Sequence, residues 1–214
     1  MRPTRFATCV ALTVVLLAAA TAEAATLAPG ALLTPVPAEA EPVGGVVLAT
    51  QTSPFVSTTY TGELTSTVIS GDTSNTLGGL TFTYVLRNLT GTHSINRLSI
   101  NGFDDFRTDV GRAAPAGTIV PAYADREASG TSIGFSWVSA PIGSGAIAAG
   151  QTSATLVVQT NSPVFVPTSA FVLDGFPAGM LAFAPVPEPS TFVLAGTGLA
   201  LMVYGFSRRR RSGR

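Results

Sequence analysis

Apolar and polar residues alternate with a period of two over several short stretches of this chain. Tyr60, Gly62, Leu64, Ser66 and Val68 alternate with Thr61, Glu63, Thr65 and Thr67. Leu80, Phe82, Tyr84 and Leu86 alternate with Thr81, Thr83 and Arg87. Ile133, Phe135 and Trp137 alternate with Ser132, Gly134 and Ser136, and Leu156 and Val158 with Thr155 and Gln159. A period of two places one face of a strand in a core and the other in water. Residues 46–49, 97–100, 118–120 and 170–173 add shorter strand candidates. Residues 72–79, 88–92, 101–102 and 143–150 carry Gly, Asn, Asp and Ser and read as turns. No amphipathic helix and no repeat of fixed period emerges. Roughly eight short strands with polar turns predict a mainly β fold over residues 45–184. The expected form is an antiparallel β-sandwich, immunoglobulin-like or jelly-roll.

Both ends break this pattern. Arg2 and Arg5 precede an apolar stretch over residues 10–20, and Ala22-Glu23-Ala24 supplies the small side chains a signal peptidase requires. Residues 1–24 therefore read as a helical signal peptide cut between Ala24 and Ala25. Residues 25–44, with Pro29, Pro35, Pro37 and Pro42, read as a linker without stable structure. At the other end, Pro187, Glu188 and Pro189 exclude regular helix and central strand, leaving a stiff segment that an enzyme can bind extended. An uncharged run over residues 192–206 follows. As a helix it spans roughly 22 Å, short of the ~30 Å hydrocarbon core, and flanking residues and local thinning make up the difference. A transmembrane helix is expected over about residues 191–207. Arg208, Arg209, Arg210 and Arg211 then supply a stop-transfer signal that stays cytoplasmic.

The formal charge of zero hides an asymmetry. All twelve basic residues are Arg, and seven lie in the two ends. The body keeps five against ten acids, a net charge of about −5. Without a basic stripe, nucleic acid is excluded as a partner. Cys9, inside the signal, is the only cysteine, so the mature body holds no disulfide.

The body is poor in catalytic groups, and no cofactor is implied. His93 is the single histidine, in a polar turn without a nucleophile elbow, and one histidine cannot build a zinc site. Asp104, Asp105 and Asp109 form a weak Ca²⁺ candidate; their spacing fits no EF-hand and Arg107 interrupts them. Solvated turn carboxylates are the plainer reading, as for Asp72 and Asp174. Tyr60, Tyr84, Tyr123 and Trp137 are candidates for a sugar-stacking platform, although Trp137 falls in phase with Ile133 and Phe135 and reads better as core. The chain is therefore expected to be no enzyme, its body structural or adhesive. The alternative is a polysaccharide-binding module, calcium-dependent or not.

The order of the C-terminal parts is more specific than any of them alone. Pro187, Glu188 and Pro189, then an apolar run, then an arginine cluster resembles the PEP-CTERM sorting signal of exported bacterial proteins. The resemblance covers about residues 185–211. It implies an exosortase, a cysteine transpeptidase-like membrane enzyme, that cuts near the motif and delivers the protein to the cell surface or extracellular matrix. It also implies a host that makes exopolysaccharide, a further candidate partner. The expected route is export through the inner membrane, where the tail is held in transit or permanently.

Overall fold

The alternating stretches become the long strands of two sheets. A computed structural model describes residues 24–38, 42, 44–138, 145–173 and 176–186, and these contain twelve strands and no helix. In chain order they are β1 (Ala25–Thr26), β2 (Leu32–Leu33), β3 (Val46–Val56), β4 (Tyr60–Ser70), β5 (Thr81–Gly91) and β6 (Arg97–Asn101). There follow β7 (Thr108–Ala113), β8 (Tyr123–Arg126), β9 (Ser132–Ser136), β10 (Thr155–Thr160), β11 (Phe165–Leu173) and β12 (Ala178–Pro185). One six-stranded sheet has the order β1-β7-β10-β5-β4-β3, the other β12-β11-β6-β9-β8-β2. All strand pairs are antiparallel. Leu64, Phe82 and Leu156 from the first sheet and Leu98, Ile133 and Val172 from the second belong to one buried cluster. That shared core is the layering of a β-sandwich. Two sheets of six exceed the roughly seven to nine strands of an immunoglobulin domain and the eight of a jelly roll.

β4 follows the predicted alternation, its odd positions reading out and its even positions in. β5 departs from it. Thr81 and Thr83 are buried as well, because the turn after β4 lies over the outer face and Asp72 accepts the Thr81 hydroxyl at 2.7 Å. β5 also continues through residues 88–91, which the sequence assigned to a turn. Residues 118–120 form only a bridge, Ile119 to Ser153, rather than a strand.

The largest correction concerns residues 25–38, the described front of the predicted 25–44 linker. In place of a structureless linker, β1 pairs with β7 and β2 with β8, and Leu27 and Val36 are buried in the core. Arg126 explains the hold on this segment. Its side chain is 4 % exposed, and all five guanidinium N–H groups are engaged. Nε donates to Gly130 O at 3.0 Å, one terminal nitrogen to Leu27 O and Thr108 Oγ1, and the other to Phe103 O and Phe106 O. Burial lowers the Arg126 pKa, and the charge of Asp104 opposes that shift. A second arginine, Arg97, makes a two-pronged pair with Asp125 at 2.6 and 2.8 Å. The bond to Asp125 raises its pKa against the effect of burial. Its guanidinium lies directly over Gly134, where any Cβ would collide with it.

Tyr84 links the sheets. Its hydroxyl, fully buried, donates to Phe183 O at 2.6 Å. Burial raises its pKa well above 10.0. The neutral form is therefore favoured by folding. This contribution is intact below pH 10 and is lost as pH rises from there toward the folded-state value. Tyr84→Phe is expected to cost about 1–2 kcal/mol at neutral pH, because the Phe183 carbonyl loses its donor. It should also blunt destabilisation above about pH 10. Urea unfolding at pH 7 and pH 11 reads both effects.

Candidate sorting site and its junction with the body

The candidate motif follows the last strand without a spacer. β12 is an edge strand, and an edge leaves N–H and C=O groups open. One side of β12 pairs with β11, from Val172 opposite Ala178 to Phe165 opposite Pro185. The other side meets side chains of the first sheet. Phe183 N–H donates to Ser66 Oγ at 2.9 Å, and Phe183 O accepts from Tyr84. Ala182 and Ala184 are fully buried. The grip extends one residue past the strand, where Val186 N–H donates to Val164 O at 3.3 Å. Ser162, fully buried, donates to the same Val164 carbonyl at 2.8 Å. The Phe165 and Phe183 rings meet edge to face at 5.3 Å. Pro187 is the next residue after Val186.

Pro187, Glu188, Pro189 and the four arginines lie outside the described residues, as do the predicted transmembrane helix, residues 1–23 and Asp174. At the front, the residue expected to become the mature N-terminus, Ala25, opens β1 and pairs with Val110.

The remaining candidates are scattered. Asp104 and Asp105 lie in the turn before β7, and Asp105 adopts a positive φ of 66°. Asp109 lies on β7, buried, with one carboxylate oxygen lacking a hydrogen-bond partner. Among the described residues no group of three or more His, Cys, Asp or Glu is placed to hold a metal ion. His93 is exposed in the connection between β5 and β6, its ring 6.2 Å from that of Phe176. Tyr60, Tyr84 and Trp137 are buried, which removes them from any stacking platform; Tyr123 is half-buried. Trp137 is core, with Nε1–H donating to Ile119 O at 3.1 Å. A groove of about 600 Å³ runs between β3 and the β11–β12 hairpin, and its nine lining residues include no ionisable side chain.

Sequence reasoning missed the junction grip. The period-two pattern marks Ser66 and Tyr84 as inward-facing, but it carries no sign that both reach the backbone of β12.

Comparison with protein families matches the PEP-CTERM protein-sorting motif over residues 185–211, so its first residue is the last residue of β12. No curated protein and no solved structure matches the chain. The chain thus carries a PEP-CTERM protein-sorting motif, which marks it for export and for exosortase-dependent sorting at the membrane.

Proposed function

We propose that this is a non-enzymatic protein of the cell surface or extracellular matrix, with a structural or adhesive body. Signal peptidase removes residues 1–24, and an exosortase acts at Pro187, Glu188 and Pro189. The observation that carries this reading is the fit between fold and targeting signals. β1 opens at Ala25, directly after the predicted signal cut, and β12 ends at Pro185, where the sorting-motif match begins.

The test is fractionation of cells producing the full chain. The body is expected in the surface or matrix fraction, and confinement to the cytoplasm contradicts the reading.

A second reading, recognition of a polysaccharide, draws on one surface feature. The outer face of β3, β4 and β5 carries paired threonine hydroxyls: Thr50 with Thr67 at 3.3 Å, Thr52 with Thr65 at 3.0 Å and Thr61 with Thr90 at 2.7 Å. Such rows offer donors and acceptors to sugar hydroxyls without any bound metal. Protein recovered from the surface fraction, applied to a glycan array with and without chelator, separates the two. The structural reading expects no binding in either condition; reproducible binding to one glycan class selects the second reading.

A further inference from the structure

We propose that the body stays zipped through Val186 while the tail is processed, so that the fold sets the upstream limit of the exosortase cut and holds the body against the enzyme. The inference rests on the exosortase reading above and adds a constraint that the motif alone does not contain.

Three observations carry it. First, both edges of β12 are occupied at its C-terminal end, by β11 on one side and by Ser66 and Tyr84 on the other. Second, the last grip, Val186 N–H on Val164 O, lies one residue before Pro187. An enzyme that binds an extended substrate needs residues on both sides of the scissile bond. Upstream of Pro187, the Val186 N–H and both backbone groups of Phe183 are committed. Each hydrogen bond surrendered to seat one of them reduces the competent population by roughly fivefold. Third, geometry denies the body room to swing clear. From Val186 to Phe192, where the apolar run begins, there are six residue steps, a reach of roughly 20 Å when fully extended. A body of some 160 residues has a radius of gyration near 15 Å, hence a width well above that reach. The end of the sandwich that carries the β12 exit is therefore pressed toward the membrane and whatever acts there.

The constraint differs from that on a sorting signal carried by a flexible stalk. Here the enzyme must work from the downstream side, on Pro187 and beyond, and the processed protein keeps the whole of β12.

The experiment uses the full chain in a host with a working exosortase. Two quantities are read: the C-terminal residue of the processed protein, by mass spectrometry of its terminal peptide, and the rate of precursor loss in a pulse-chase. Four chains are compared: wild type, Glu188→Ala, a chain with ten Gly/Ser residues inserted between Val186 and Pro187, and that insertion combined with Glu188→Ala. The insertion leaves every body residue in place. The expected results are a wild-type cut C-terminal to Val186 and a precursor lost faster than wild type once the spacer frees the approach. A wild-type terminus at Pro185 or earlier overturns the inference, since β12 must then have opened. An unchanged rate with the spacer also overturns it, since the body then does not obstruct the enzyme. The Glu188→Ala chains separate this from failure of the underlying reading. If they are cut as fast as their parents, motif-dependent processing is wrong and the inference falls with it. If they are not cut while the spacer has no effect, only the inference falls.

Discussion

Glu188→Ala is expected to leave the chain as an uncut, membrane-associated precursor, with processing slowed by about ten- to a hundredfold. Glu188 is the only charged residue between Pro185 and Phe206. It sits between two prolines that fix the backbone and cannot donate hydrogen bonds of their own. An enzyme that reads this handle has one anionic group to grasp. A charge-assisted hydrogen bond contributes about 1.5–3 kcal/mol, and each 1.4 kcal/mol is a decade in rate. Membrane insertion depends on the apolar run, which the substitution leaves intact. Pulse-chase immunoblotting shows precursor and product directly. Processing at the wild-type rate contradicts motif recognition. Neutralising Arg208, Arg209, Arg210 and Arg211 is the complementary control, expected to alter topology by removing the stop-transfer charge.

The second large effect lies in the fold. Arg126→Met is expected to cost about 3–5 kcal/mol of body stability, against a typical domain total of about 5–15 kcal/mol. The methionine fills much of the space but donates nothing. Gly130 O, Phe103 O and Phe106 O then lose the guanidinium donors they now have, and Leu27 O keeps the Thr108 hydroxyl. Unmet buried acceptors cost more than the net value of the bonds themselves. Arg126→Lys should be intermediate, since an ammonium has three donors on a point charge in place of five in a planar fork. The same clamp ties residues 27, 103, 106 and 130 together, so loss of β1 protection in hydrogen exchange should accompany the stability loss. Urea unfolding of the two variants checks the ranking. A Met variant within about 0.5 kcal/mol of wild type means the clamp is not holding the front of the chain.

The class of fold and the address at the C-terminus were both legible in the sequence, for different reasons. β4 has one buried and one wetter face, so its periodicity declares it, and β5 shows its apolar period at Phe82, Tyr84 and Leu86 even though Thr81 and Thr83 are buried too. The tail is legible because its parts must occur in order. Other elements hid from the pattern for physical causes. β3 reads polar through Thr50, Gln51, Thr52, Ser53 and Pro54 because it is an edge strand, where Pro is tolerated and much of the surface is wet. A register shift between Val47 and Ala49 further breaks its alternation. β12 reads as a small-residue stretch, since Ala178, Ala182 and Ala184 are chosen for close packing beneath the first sheet. β1 and β2 are two residues each and cannot show a period at all; what fixes them is distant in sequence by about a hundred positions, the Arg126 side chain on Leu27 beside β1 and the pairing of β2 with β8. Proline content made residues 25–44 look like a linker, yet Leu27 and Val36 carry the burial that decides the matter. For the same reason the aromatic platform dissolved: Tyr60, Tyr84 and Trp137 are worth more to this core than to a surface, and their polar atoms reach backbone carbonyls across the sandwich.

The central claim, that this body is exported and freed from both of its targeting ends, is tested most directly by the intact mass of the protein recovered from the cell surface or matrix. The account predicts a species that begins at Ala25 and lacks the apolar run and the arginine cluster. A surface species that retains residues 1–24 together with Arg208, Arg209, Arg210 and Arg211 contradicts it.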